Sequence, residues 1–130
     1  MNMRRLAELP LFRGLDDGAL REVGAAVSEE SVEAGRVLVR EGDYSQDLTI
    51  IDEGTVRVER EGQELAQLGP GDMYGEAGLL QKGMRNATVV ALTDARLIHL
   101  TNFDLNRLRG AHPELLQRIQ QIEAERAQPE

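Results

Sequence analysis

Glu76 and Arg85 stand nine residues apart in the stretch GDMYGEAGLLQKGMRNATVVAL, residues 71–92. The run is largely small and apolar, with Gly75 and Gly78 on either side of Glu76 and Gly83 just before Arg85. Arginine presents a planar fork that grips phosphate oxygens two at a time. Ionised glutamate only accepts hydrogen bonds, which suits a ligand hydroxyl. Gly75 lets backbone come close to a ligand or take an unusual φ. The segment EAGLL can form one helical turn whose free N–H groups attract an anion, and Gly78 has no side chain to obstruct the approach. One cation, one free helix end and one acceptor describe a site for a compact phosphate joined to a sugar. Taken singly, each feature has a plainer explanation. A Glu at a helix start is favoured by the macrodipole, by about 0.3–1 kcal/mol, and an Arg before a strand can simply be solvated. The two together carry the reading.

The rest of the composition narrows the chemistry. The net charge of −8 repels a phosphate backbone, so nucleic-acid binding by the whole surface is not expected. A single small anion remains compatible, because exposed charges are screened beyond about 8–10 Å. The absence of Cys removes disulfides, Cys-ligated zinc, iron–sulfur clusters and a thiol nucleophile, and fits a cytoplasmic protein. No apolar run approaches the ~18 residues of a membrane span, and the N-terminus lacks a signal-peptide core. His99 and His112 are not at a metal-ligand spacing; the first reads as a strand-face residue and the second as the start of a helix. No catalytic pair or activated nucleophile emerges, which argues against a small hydrolase and for a protein that is not an enzyme and needs no cofactor or metal.

Residues 1–27 read as helices that precede the sheet. Leu6, Leu9 and Phe12 suit one helix face and its exit, and Asp16 is an N-cap for a helix with Leu20, Val23 and Val27 on one side. From residue 28 to 100, glycines at 35, 42, 54, 62, 69 and 71 bracket short β-prone runs: RVLV, DLTIID, TVRVER, QELAQL, ATVVAL and RLIHL. Turn signals at this spacing predict a sandwich, jelly roll or barrel. Asp16-Asp17, Glu29-Glu30 and Asp52-Glu53 read as caps and solvated turns. Residues 101–127 read as two helices. Thr101 and Asp104 have capping-box spacing, Gly110 stands near the first stop, and Pro113 opens the second. Leu115, Leu116, Ile119 and Ile122 form an apolar stripe that suits packing on the barrel or one half of a homodimer seam.

The segment YGEAGLLQKGMRNATV resembles the phosphate-binding cassette of cyclic nucleotide-binding domains, the family of bacterial catabolite activator proteins and protein kinase A regulatory subunits. The family's pattern is held here by Tyr74, Gly75, Glu76, Gly78, Leu79, Leu80, Arg85 and Ala87, within a cassette at 74–88. LFRGLDDGALREV, AGRVLVREGD, IDEGTVRV and LGPGDMYGE resemble the family's opening helix, first hairpin, next strand pair and lead into the cassette. The likeness covers about residues 10–125 and makes the whole chain, 1–130, a single domain.

The resemblance implies an eight-stranded jelly roll, a double-stranded β-helix that is mainly β, with N- and C-terminal α-helices. It implies that Arg85 binds the exocyclic phosphate oxygens and that Glu76 accepts the ribose 2′-OH. Backbone amides of Gly78 and Asn86 complete the cradle beside Gly75, and Ala77 and Ala87 line it. The ligand is a cyclic purine mononucleotide, cAMP ahead of cGMP, and its binding is passed by the C-terminal helices to a protein partner or effector domain. Two departures matter. Family transcription factors continue into a helix-turn-helix, whereas this sequence stops at Glu130, so no DNA-binding module is expected in this chain. Asn86 follows the Arg where Thr marks cGMP-preferring relatives and Ala or Ser is common in cAMP binders, so base preference stays open. Ile119, Ile122 and Arg126 are the candidates for a lid over the base. The alternative is a structural or protein-interaction domain of the same fold with a degenerate pocket, part of a larger transporter, channel or regulator.

Overall fold

The structure, a computed structural model, describes residues 2–41, 47–75 and 87–127, with side chains to residue 121. Helices α1 (Met3–Glu8) and α2 (Asp17–Ala26) lead into eight strands. These are β1 (Ser28–Val32), β2 (Val37–Val39), β3 (Leu48–Glu53), β4 (Val56–Arg60), β5 (Gln63–Leu68), β6 (Met73–Tyr74), β7 (Thr88–Ala91) and β8 (Ala95–Leu100). Helices α3 (Asn102–Ala111) and α4 (Pro113–Ala127) follow.

The strands form two antiparallel four-stranded sheets, ordered β1-β8-β3-β6 and β2-β7-β4-β5. Each sheet pairs an early strand with a late one: Ser28 lies opposite His99, and Val37 opposite Val90. This is a jelly-roll sandwich with helices outside it, the class that the glycine-punctuated runs predict.

β3, inside the first sheet, is buried on both faces, which explains its sequence. β3 has five consecutive buried residues rather than an alternation. Leu48 and Ile50 point with Met73, Ile98 and Leu100 into a cluster closed by Leu6, Phe12, Val23, Leu108 and Leu115 of the helical segments. Ile51 points the other way, with Val32, Tyr74 and Leu97, to meet Val56, Val58, Val89 and Ala91 of the second sheet. Continuous apolar runs are what a doubly covered strand requires. The turn after β3 needs a glycine: Gly54 has φ +93°, and a Cβ there would lie 2.5 Å from the Asp94 carbonyl oxygen.

Local signals set the helix ends. Asp16 Oδ1 accepts from Ala19 N at 2.8 Å, and Thr101 Oγ1 accepts from Asp104 N at 3.1 Å. Gly110 does not stop α3; the helix runs on to Ala111, and the His112-Pro113 step ends it because the residue before a proline disfavours helical backbone. Of the apolar stripe on α4, Leu115 and Ile119 are buried in the helix-side cluster, while Leu116 is exposed. Ile119 is therefore part of the core rather than a lid; the side chains of Ile122 and Arg126 lie outside the described residues.

Two readings of the acidic pairs are corrected. Asp52 is not in a solvated turn. It is a buried residue of β3, gripped by Arg5 of α1 through Nε to Oδ1 and Oδ2, each at 3.2 Å, and through a terminal nitrogen to Oδ1 at 2.7 Å. Glu29 and Glu30 belong to β1, a strand whose polar sequence SEESV gives little alternation to detect.

Candidate functional site

The cassette is described at its two flanks. Glu76, Ala77, Gly78, Arg85 and Asn86 lie outside the described residues, whereas Gly75 and Ala87 lie within them. Gly75 follows β6 of the first sheet with φ +131°. A Cβ at this position would sit 2.2 Å from the Asp47 carbonyl oxygen and 3.1 Å from Leu48 Cα, so no other residue fits without moving backbone. Ala87 is buried against the second sheet and leads into β7. The intervening segment thus connects one sheet to the other.

The flanks of residues 42–46 come to the same end of the sandwich. Glu41 N donates to Thr88 Oγ1 at 3.0 Å, one residue after Ala87, while Asp47 packs on Gly75. Two connections between the sheets, β2 to β3 and β6 to β7, therefore depart from one rim, and Glu76 and Arg85 belong to the second.

Directly beneath that rim the inner face of the first sheet carries polar groups. His99, Thr49 and Tyr74 occupy one row across β8, β3 and β6, with Thr49 opposite both of the others. Thr49 Oγ1 and His99 Nδ1 are 2.9 Å apart, and His99 Nε2 is 2.8 Å from Glu30 Oε1. Glu30 Oε2 lies 3.1 Å from an Arg36 terminal nitrogen. Tyr74 stands directly across from Thr49 on the neighbouring strand. Glu30, Arg36, Asp47, Thr49, Tyr74 and His99 surround a cavity of about 130 Å³, closed on its apolar side by Leu38, Val39 and Leu97.

The electrostatics follow from these contacts. The Glu30 carboxyl is held below its ordinary value chiefly by the hydrogen bond with His99; partial burial opposes this and the Arg36 guanidinium reinforces it. Burial pushes the Tyr74 hydroxyl up to about 12, so the phenol stays protonated across the physiological range. Among the described residues no group of three or more His, Asp or Glu is placed to hold a metal ion. Among the same residues no helix is long and apolar enough to cross a membrane.

His99 is a strand residue, as its place in RLIHL predicts, but sequence reasoning missed its partners. The available signal was the alternation of β8, which puts His99 on the face of Leu97 and opposite that of Ile98. Nothing in the sequence indicated that Glu30 and Thr49 flank it.

Residues 29–112 match the cyclic nucleotide-binding domain family. A cyclic nucleotide-gated potassium channel of Rhizobium etli is 34% identical over 125 residues, which are 96% of this chain and 35% of the channel. The cyclic AMP receptor protein of Thermus thermophilus is 40% identical over 103 residues, 73% of this chain and 46% of the receptor. The crystal structure of the Thermus thermophilus catabolite activator protein superposes with a TM-score of 0.74 at 30% identity, covering 90% of this chain and 57% of the other. The chain thus spans less than half the length of either curated relative.

Proposed function

We propose that this chain, which belongs to the cyclic nucleotide-binding domain family, binds a cyclic purine mononucleotide and acts as a regulatory module rather than an enzyme. The ligand is cAMP ahead of cGMP, a preference supported by the likeness to the Thermus cyclic AMP receptor protein. One observation carries the reading. Gly75 and Ala87, the described flanks of the segment that holds Glu76 and Arg85, stand at one rim of the sandwich, each on a different sheet. A ligand held there touches both layers at once.

The roles follow the chemistry of the side chains. Arg85 takes the exocyclic phosphate oxygens and Glu76 the ribose 2′-OH. The amides of Gly78 and Asn86 complete the phosphate cradle, with Ala77 and Ala87 as its walls. Binding is passed through α3 and α4 to an effector domain or protein partner, in the cytoplasm. A ligand shifts such an element only by its differential affinity for two states, so the Arg85 and Glu76 contacts must be better formed in one of them.

Calorimetric titration with cAMP and then cGMP tests this. Arg85→Ala and Arg85→Lys should each weaken binding well over tenfold, because a point charge does not replace the fork. Unchanged affinity in either variant removes the mechanism. The ratio of the two nucleotide affinities reports what Asn86 reads. Recovery of AMP from incubated cAMP would make the protein a hydrolase instead.

A further inference from the structure

Among the described residues, Glu61 is the one non-glycine residue with a positive φ, at +53°. With Gly62, whose φ is +79°, it forms the two-residue turn between the paired residues Arg60 of β4 and Gln63 of β5. Asn-Gly and Asp-Gly adopt such a turn unaided, and glutamate is not among the residues that favour it. Two hydrogen bonds hold it here. Arg57, within the hairpin, donates to the Gly62 carbonyl oxygen at 3.3 Å. From outside the hairpin, Glu41 Oε1 accepts from Glu61 N at 2.6 Å. We propose that Glu41 is a positioning residue for the nucleotide site: its side chain pins the tip of the β4–β5 hairpin beside the exit of the cassette. This rests on the reading given under Proposed function.

Strand register puts the tip at that place. β4 and β7 are antiparallel, with Val56 opposite Ala91 and Glu59 opposite Thr88. Thr88 begins β7 directly after Ala87. β4 therefore runs on through Arg60 to Glu61 past the point where β7 starts, and the turn projects beyond the rim on the cassette side. Glu41 reaches the same point from β2. Val39 pairs with Val89, and two residues on Glu41 N donates to Thr88 Oγ1 at 3.0 Å. One residue thus grips the exit of the cassette with its backbone and the hairpin tip with its side chain.

Glu41 is exposed and belongs to neither core cluster, so its side chain contributes placement rather than packing. A backbone held away from its preferred conformation by such a contact is a mark of function. In this role the pinned tip is the second-sheet wall of the nucleotide site, and the fraction of molecules with the wall in place scales the affinity.

Calorimetric titration with cAMP tests this. Glu41→Ala removes the acceptor and should weaken binding about three- to tenfold, the effect of one lost hydrogen bond on the population with the tip in place. Glu41→Gln keeps an oxygen at the same position and should bind as the wild type does. Glu61→Asn makes the turn Asn-Gly, which needs no outside support, so Glu41→Ala combined with Glu61→Asn should regain wild-type affinity. A purely electrostatic role for Glu41 gives another pattern: loss of a negative charge near an anion site would tighten binding in Glu41→Ala and Glu41→Gln alike. That pattern, or a double variant no better than Glu41→Ala, would overturn the proposal. Hydrogen exchange of the Glu61 amide, measured without nucleotide, supplies an independent arm. Exchange should be slow in the wild type and in Glu41→Gln and faster in Glu41→Ala; equal rates in all three would also overturn the proposal. If the wild type binds no cyclic nucleotide, the reading under Proposed function fails by itself, and the amide exchange still decides whether Glu41 pins the tip.

Discussion

The two faces of the sheet β1-β8-β3-β6 are both covered at β3, but by different chemistry. Toward the helices, Leu48, Ile50, Met73, Ile98 and Leu100 meet only apolar neighbours. Toward the second sheet, the apolar set Ile51, Leu97 and Val32 gives way at one end to Glu30, His99, Thr49 and Tyr74 around a cavity. The dry helix-side face contributes stability, and the polar residue buried at its end, Asp52, is there only because Arg5 of α1 pairs with it. A polar row inside a sandwich is costly unless its members are partnered, and here Glu30, His99 and Thr49 are partnered with one another. On the reading proposed above, the helix side is scaffold and the rim of the inner face is where the ligand is recognised.

Substitutions that separate the two faces give the sharpest tests. The largest effect is expected at Gly75, where the backbone itself must move to admit a methyl group. Gly75→Ala should cost at least ~3 kcal/mol in chemical denaturation, the sum of a disfavoured φ and a clash with Asp47. A variant as stable as wild type would show that the close approach to β3 is not maintained. On the dry face, Leu6→Ala removes a fully buried side chain and should cost about 2–5 kcal/mol, with cAMP affinity little changed. A large loss of affinity there would dissolve the distinction between the faces.

A smaller effect is expected on the inner face from Tyr74→Phe. It deletes the hydroxyl of a buried residue on the cavity wall while keeping the ring, so the melting shift should correspond to no more than about 1 kcal/mol. The smallest effect lies at the helix junction, outside both faces. His112 Nε2 is 2.6 Å from Glu22 Oε2, and its imidazole is raised above the ordinary 6.5, first by that hydrogen bond. A raised folded-state value means that the charged form stabilises the fold. The contribution is complete below about pH 6.5 and is lost as pH rises through the folded-state value. His112→Gln should therefore lower the melting temperature more at pH 5.5 than at pH 8.5. Glu30, whose carboxyl is lowered, acts in the opposite sense and in another window: its contribution is present above about 4.5 and fades as pH falls below it. A gap that widens toward high pH would contradict the His112 assignment.

These contrasts also separate what the sequence made legible from what it did not. The sandwich was readable because Val56 and Val58 alternate with Arg57 and Glu59 between glycines that must turn the chain. The helix starts were readable because Asp16 and Thr101 are capping residues whose side chains bond locally. β1 was not, since SEESV is a strand by virtue of its long-range pairing with β8, to which its local propensity contributes little. The same cause hid the buried state of Asp52: its partner Arg5 is 47 residues away in sequence. For the site, spacing pointed to Glu76 and Arg85 as a pair. The row of Glu30, His99, Thr49 and Tyr74 was invisible, because its members come from four strands and only the fold places them side by side.

The most direct test of the central claim is to measure cAMP affinity and melting temperature together in Arg85→Ala and Leu6→Ala beside the wild type. Arg85→Ala should lose well over tenfold in affinity with little change in melting, and Leu6→Ala should melt far earlier with its affinity nearly intact. Equal affinity in Arg85→Ala and wild type, or a loss of binding in Leu6→Ala as large as in Arg85→Ala, would contradict the assignment of recognition to the cassette at the inner rim.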